Sequence, residues 1–413
     1  MEAQHYAKEI ILKLQCEGYI AYYAGGWVRD YLLGHPSADI DIATNAPPEK
    51  ILDLFPRTIL VGLAFGVVIV SMNGYQFEVS TFRKDIEYTN GRKPTRIELS
   101  TPEKDAQRRD FTINGMFYDP FEERVIDYVH GQADLKQGII RAIGNPYERF
   151  VEDRLRMVRA VRFAARFGFI IEPDTIQAIC ENADTLFPAV AIERIWQELN
   201  KMAENWGFDR AVMDLYRFGL LGVIFPQLKH VHLDEIKKRV AHFHQFPEKC
   251  PTILYLLDLV PDITEDEAIL LCEYLKTGNE VIHLAVTALH ARKLFQHPDS
   301  SHLHWAHFYA HPKARLLVDV WAAHLPKEEK GMFLEEHQGR QERLGPHIER
   351  LVQRKPIVTA AHLHREGIPS GKLLGILLKE AESIAVHHDL HDPQSIIELL
   401  KRSPHWPTHK GNT

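Results

Sequence analysis

Cysteine is scarce in this chain. Its four copies, Cys16, Cys180, Cys250 and Cys272, show no C-x-x-C spacing. Neither a disulfide framework nor a thiolate zinc site is expected, and a reducing cytoplasm is the expected compartment. Long apolar runs are also missing. No eighteen consecutive apolar residues are present to span a bilayer, and the opening MEAQHYAKEI lacks the apolar core of a signal peptide, so no membrane partner is expected. Nor is there an excess of positive charge. A formal charge of −7 argues against indiscriminate coating of nucleic acid, yet it leaves room for a local basic stripe on one face.

What is present fits a globular protein, with 45% hydrophobic and 25% charged residues. A length of 413 residues exceeds one ordinary core, so several domains are expected. Residues 4–17 place Ala7, Ile10, Ile11 and Leu14 at helical spacing, which predicts an amphipathic helix.

Residues 22–44 read YYAGGWVRDYLLGHPSADIDIAT and carry the first chemical signal. A strand over 19–24 runs into Gly25-Gly26, and a short helix follows over 27–33, closed by Gly34. Adjacent glycines permit positive φ and close backbone approach, and the helix behind them aims unpaired N–H groups at an anion such as a triphosphate. Arg29 is a candidate phosphate ligand and Asp30 its orienting partner. Asp39 and Asp41 stand two positions apart, so on a strand they share a face and can hold one cation together.

Residues 66–82 read as two β-rich runs joined by Asn73-Gly74, the strongest two-residue hairpin signal. On the second run Tyr75, Phe77 and Val79 share one face, which puts Glu78 on the other as a candidate third carboxylate. Three converging acids need a cation to offset their charge. Hard oxygen ligands with phosphate co-ligands suit Mg²⁺, and two ions roughly 3.5–4 Å apart would activate a hydroxyl and stabilise departing pyrophosphate. Residues 83–107 are polar, with Gly91, Pro94 and Pro102 among charges, which predicts a mobile loop and then a short strand. RRDFTINGMFYDP over 108–120 reads as a helix presenting Arg109 and Asp110 to a cleft, and residues 125–144 as strands and turns.

Residues 147–169, YERFVEDRLRMVRAVRFAARFGF, predict one long helix ended by Gly168. Seven arginines face three acids over 141–166, and Arg156, Arg159, Arg162 and Arg166 follow one flank while Leu155, Val158 and Phe163 face a core. Glu152, Asp153 and Arg156 fall within about one turn, where carboxylate and guanidinium edges match the Watson–Crick edge of a base. An intrahelical salt bridge is the ordinary alternative.

Four segments in order resemble the class II tRNA nucleotidyltransferase and poly(A) polymerase family of the polymerase β-like nucleotidyltransferase superfamily. GGWVRD with DID is similar to its catalytic motif, RRDFTING to its ribose-contacting motif, VEDRLRMVRAVRFAARFGF to its nucleobase-selecting motif, and AIERIWQEL over 191–199 to its supporting helix. The resemblance implies an α+β fold with a small mixed-sheet nucleotidyltransferase head at 1–145, an all-α nucleobase-selecting neck at 146–200, a helical body at 201–300 and a tRNA-binding helical tail at 301–413. It matches Asp39 and Asp41 to metal-binding carboxylates, with Glu78 as the third. Arg109 and Asp110 match ribose-proximal residues, and Glu152, Asp153 and Arg156, with Arg159 behind them, the protein template that selects CTP and ATP.

VGLAFGVVIV over 61–70 is closer to the tRNA enzymes than to the polymerases, which usually carry a basic segment there, and IEYTNGRKPTRIEL resembles the loop that enzymes adding only cytidines have lost. The expected activity is CCA addition, or addition of the terminal A alone, to tRNA from CTP and ATP. Poly(A) polymerase is the nearest alternative, and a non-catalytic RNA-binding protein on the same fold a further one.

Prolines 226, 251, 261, 298, 312 and 326 punctuate helical patterns in the C-terminal half. Twenty-one of the 24 histidines lie there, all but His5, His35 and His130, yet spacings such as His302, His304 and His307 match no standard ligand set. HHDLHD over 387–392 holds a His-Asp pair of the kind metal phosphohydrolases use. REGIPSGKLLGILLKEAE over 365–382 places Gly367, Pro369, Gly371 and Lys372 at a turn that opens a helix toward an RNA phosphate, similar to a turn in the family's tails.

Overall fold

A computed structural model describes residues 2–35, 37, 39–62, 66–89 and 93–407. The expected α+β class holds, with one mixed sheet near the N-terminus and helices through the rest. The chain gathers into two compact units that meet in sequence between His244 and Gln245.

In the first unit, helix α1 (Glu2–Cys16) buries Ala7, Ile10, Ile11 and Leu14, the stripe its sequence predicts. Burying an isoleucine or leucine is worth roughly 1.5–3 kcal/mol, so this stripe fixes α1 to the sheet. The sheet elements are β1 (Ala21–Ala24), β2 (Asp41–Thr44), β3 (Thr58–Gly62), β4 (Val67–Met72) and β5 (Tyr75–Thr81), then β6 (Arg83–Thr89), β7 (Lys93–Leu99), β8 (Met116–Asp119) and β9 (Arg124–Asp127). Seven of them form a sheet in the order β3-β4-β5-β2-β1-β8-β9. Only β2 and β5 run parallel, pairing Ile42 with Val79, and every other neighbouring pair is antiparallel. Central β2 therefore has β1 on one side and the hairpin strand β5 on the other. Ala24, Ala43, Phe82, Ala106 and Phe117 make a core on one side of the sheet, with the Phe82 and Phe117 rings edge to face at 5.6 Å.

The Asn73-Gly74 hairpin forms as read, both residues at positive φ (48° and 85°). Phe77 and Val79 are buried and Glu78 exposed, the alternation the sequence predicts. The segment read as a mobile loop differs, since β6 and β7 pair antiparallel from Arg83–Leu99 to Thr89–Lys93 as a ribbon of their own. Residues 90–92, including the expected loop glycine Gly91, and residues 63–65 of the 61–70 segment lie outside the described residues.

Helices α2 (Gly26–Leu32) and α3 (Pro48–Leu54) flank the early strands, and α4 (Pro102–Gln107) follows the ribbon. Residues 108–120 are not one helix, because α4 ends at Gln107 and a single 3₁₀ turn spans Thr112–Asn114. Among the residues read as strands and turns, 131–137 form helix α5 (Gly131–Gln137), ended by Gly138 in the left-handed conformation.

The helix expected over 147–169 is two. Helix α6 (Pro146–Glu152) stops where Asp153 turns extended (φ −146°, ψ 105°), and α7 (Leu155–Phe167) resumes and ends at left-handed Gly168. Two interactions hold the break. Asp153 Oδ1 accepts the Leu155 N–H at 3.0 Å, and its carboxylate pairs with Arg194 on the helix Ile192–Ala203 at 2.9 Å. Side-chain competition of this kind is how aspartate opens a helix end.

The second unit is helical in every described element. Leu363, Leu377, Ala381, Ala385, Ile396 and Leu400 form one core, and Phe295, Trp305, Phe308 and His337 form an aromatic cluster. All four cysteines are free thiols, as expected. Among the described residues no helix is long and apolar enough to cross a membrane.

Candidate active site

The turn after β1 is built for close approach. Gly25 has φ 64° and donates its N–H to the Met116 carbonyl at 3.2 Å. The positive φ favours glycine there, and a Cβ would stand 2.8 Å from Arg109 Nη1, the end of a side chain that would have to shift.

Arg29 is placed differently from its expected role at a phosphate. It is buried, donating from Nη1 to Asn114 Oδ1 at 2.6 Å and from Nε to Asp30 Oδ1 at 2.8 Å, and its guanidinium stacks over Phe163 and Phe167 at 5.3 and 4.8 Å. Asp30 also meets Arg166 at 3.5 Å. Arg29 thus braces α2 against α7, because its charge is already matched inside the protein.

Asp41 opens β2 and Asp39 lies just before it, while Glu78 is exposed on β5, the strand next to β2. The Asp41 carboxyl is pushed up to about 6, first by burial, then by the charges of Glu78 and Asp39, with Arg109 acting against the rise. Asp41 therefore senses the charges of both neighbouring acids. Among the described residues they do not close to within 4.8 Å of one another as a compact ligand set would. A divalent cation against these oxygens would relieve their repulsion, so the residues present fit a hard cation.

Beside the acids lies a network of arginines and aspartates. Asp105, on α4, takes Arg108 at 2.7 Å and Arg109 at 3.1 Å. Asp110 is buried, receives Arg159 at 2.5 Å and accepts from Asn114 Nδ2 at 3.1 Å. Burial alone would raise the Asp110 carboxyl, but the Arg159 charge and the Asn114 and Arg159 hydrogen bonds hold it far below the usual carboxylate range. Asn114 thus joins Arg29 to Asp110 and ties the 3₁₀ turn to both sides of the site.

On the neck, Arg156 donates to Glu152 at 2.7 Å, to the Arg149 carbonyl at 3.0 Å and to the Arg108 carbonyl at 2.9 Å. The salt bridge anticipated as an alternative for Glu152 and Arg156 is present, and it spans the helix break. Asp153 takes no part in it and is held by Arg194. Arg162 pairs with buried Glu198 at 2.5 Å and stacks over Phe163 at 4.0 Å.

A cleft of about 440 Å³ gathers nine of the twelve expected site residues: Gly25, Gly26, Arg29, Asp41, Arg109, Asp110, Asp153, Arg156 and Arg159. Asp39, Glu78 and Glu152 lie off its lining. Arg108 and Asn114 also line it and escaped the sequence reading. Asn114 sits inside TING, where its polar side chain four positions after Asp110 was the available signal. Arg194 and Glu198 sit inside AIERIWQEL, where the acid and the base four apart on an amphipathic helix offered no hint that each pairs with another element.

The cleft combines Asp41, with Asp39 and Glu78 beside it, a glycine turn and carboxylate and guanidinium groups, parts suited to hold a nucleotide and transfer its nucleotidyl group. Comparison with known proteins agrees. The family model for the poly A polymerase head domain matches residues 21–141, and that for the probable RNA and SrmB-binding site of polymerase A matches residues 168–231. The CCA-adding enzyme of Oceanobacillus iheyensis is 32% identical over 410 residues, covering 95% of each chain. That of Geobacillus stearothermophilus is 44% identical over 212 residues, 51% of this chain and 52% of the relative.

Among solved structures, the Bacillus stearothermophilus CCA-adding enzyme in complex with CTP superposes with a TM-score of 0.77 at 29% identity, covering 97% of this chain and 98% of that one. The Thermotoga maritima CCA-adding enzyme complexed with tRNA shares the fold at 21% identity and a TM-score of 0.65, over 95% and 93% of the two chains. Nucleotidyltransferases of this kind generally work with a divalent metal, which the acid cluster fits. The chain belongs to the class II tRNA nucleotidyltransferase and poly(A) polymerase family and is a nucleotidyltransferase.

Proposed function

We propose that this chain adds CCA to tRNA 3′ ends from CTP and ATP without a nucleic-acid template. The observation that carries the reading is the presence of Asp41, Asp153 and Arg156 in one cleft, so that transfer chemistry and base selection share a single nucleotide. Asp39 and Asp41, with Glu78 nearby, would hold Mg²⁺, two ions in this reading. When bound, these supply Lewis-acid activation of the 3′-hydroxyl and charge for the departing pyrophosphate. The Gly25-Gly26 turn admits the triphosphate, Arg109 borders it, and Asp110 keeps Arg159 fixed. Asp153 and Arg156 present acceptor and donor edges to the base. A head at 1–145, a neck at 146–200, a body at 201–300, a tRNA-binding tail at 301–413 and a cytoplasmic site of action complete the reading.

The test is to incubate the protein with Mg²⁺ and a tRNA lacking its last three nucleotides, and to read product length. Two additions with CTP alone and three with CTP and ATP are expected. Extension only of a tRNA already ending in CC would make it an A-adding enzyme, and a long adenosine ladder from ATP alone would make it a poly(A) polymerase.

A further inference from the structure

Most of the histidines take no part in the transfer chemistry, and one group of them has the geometry of a metal site. His347 lies on the helix Gly345–Val352, and Asp389 and His391 lie on the turn between the helices Lys372–His387 and Pro393–Leu400. Asp389 Oδ1 stands 3.0 Å from His347 Nε2 and 3.2 Å from His391 Nε2. The ligand atoms of all three lie within 4.8 Å of one another, and the two imidazoles stack with centroids 4.9 Å apart. Among the described residues this is the group of histidine, cysteine or acid side chains that meets that spacing.

Ligands about 2.0–2.1 Å from a tetrahedral ion stand roughly 3.3 Å from each other, so the two N···O separations are close to those of a formed coordination shell. Two imidazole nitrogens and one carboxylate oxygen suit a borderline divalent ion such as Zn²⁺, whereas Mg²⁺ and Ca²⁺ favour oxygen alone. His347 is 1% exposed, and its Nδ1 has no hydrogen-bond partner, so the contact at Nε2 is the one that anchors the ring. Asp389 and His391 are 72% and 54% exposed, which leaves room for water at the remaining positions.

Asp389 occupies a left-handed position (φ 50°) past the helix end, where glycine is the usual choice. The turn is fixed by the Leu390 N–H on the Ala385 carbonyl at 2.9 Å and by Asp392 capping Ser395 at 2.8 Å. Arg350, one turn beyond His347, is matched by Glu382 at 3.0 Å and so does not set an unbalanced charge beside the group.

We propose that His347, Asp389 and His391 bind one transition cation of the Zn²⁺ class, clipping the helix Gly345–Val352 to the turn before Pro393–Leu400. The competing account is a plain ion pair between Asp389 and a protonated imidazole. Equilibrium dialysis of the full chain against Zn²⁺, in excess Mg²⁺ to saturate the oxygen site, separates the two. Wild type is expected to bind one equivalent more than Asp389→Asn or His391→Ala, or to bind it more than about 10-fold tighter. Exposed His283→Ala is expected to match wild type. Both test variants alter exposed side chains, and a helical circular dichroism spectrum and melting curve unchanged in chelator verify the fold. Equal zinc uptake by wild type and His391→Ala, or an equal loss in His283→Ala, overturns the proposal.

Discussion

At the scale of single residues, Asp41 sets catalysis against stability. Its carboxyl, raised from 3.8 to about 6, binds its proton more tightly in the folded chain than in the unfolded one. The charged form therefore opposes folding. That penalty is fully present above about pH 6 and disappears below about pH 4, and it amounts to about 3 kcal/mol. Asp41→Asn is expected to raise the stability of the metal-free protein at neutral pH by that order, with no gain near pH 4, in melts run with chelator. The same change is expected to lower turnover by at least about 10³-fold, since metal activation supplies several kcal/mol. Equal stability of wild type and variant at neutral pH would refute the raised pKa of Asp41, whose first cause is burial and whose second is the charge of Glu78 and Asp39.

Asp153 makes a second case, since Arg194 holds its carboxylate in place at the helix break. Arg194→Met removes a charged hydrogen bond worth about 1.5–3 kcal/mol. The ratio of kcat/KM for CTP and ATP over GTP and UTP is expected to fall about 10-fold or more, with kcat for CTP falling less and Arg194→Lys restoring part of the ratio. Unchanged selectivity would free Arg194 of a positioning role. Asp41 and Gly25 were legible as cleft residues because each belongs to a local pattern of strand or glycine turn, whereas Asp39, read on the same strand, precedes it and lies off the lining. Asn114 and Arg194 were not, because their partners lie 85 and 41 positions away and only the fold brings them together.

At the scale of elements, the neck shows where periodicity misleads. Apolar spacing runs unbroken through 147–167 and predicts one helix, but spacing is blind to one residue leaving the helical region, and Asp153 does so under side-chain bonds. The face assignment survived, since Leu155, Val158 and Phe163 are all buried. Helix α7 meets Ile192–Ala203 through the buried pair of Arg162 and Glu198. Glu198→Gln leaves Arg162 buried without its counter-charge and is expected to cost about 3–5 kcal/mol in a denaturant titration. Arg162→Met with Glu198→Leu is expected to recover most of it, and failure of the double change to do so would assign the loss to packing.

In the second unit, His324 Nε2 meets Asp258 Oδ2 at 2.6 Å. Burial alone would lower its pKa, yet the Asp258 bond and charge outweigh burial and raise it. A histidine whose folded pKa is raised stabilises the fold below its unfolded value, about 6.5, and that support is lost as pH rises through the folded value. The protection factor of amides in the helix Thr252–Leu259, exchange corrected for its intrinsic base catalysis, is expected to fall across that window in wild type and to stay flat in His324→Gln. No sequence pattern announced this pair, as 66 positions separate its members.

At the scale of the whole molecule, every residue lining the cleft falls at or before Arg166, within the first unit. The second unit accounts for the chain from Gln245 onward. If that half serves to hold tRNA, the two tasks separate by truncation. The first unit has its own sheet and its own buried clusters, and a chain ending at His244 is expected to keep its affinity for CTP and ATP within a few-fold. Its KM for whole tRNA is expected to rise more than about 10-fold, because lost phosphate contacts remove much of the binding that steers and holds RNA. A short acceptor-stem hairpin distinguishes this from general damage. Full-length protein is expected to favour whole tRNA over the hairpin, and the truncated chain to use both alike. An unchanged preference for whole tRNA after truncation would place RNA recognition within the first unit.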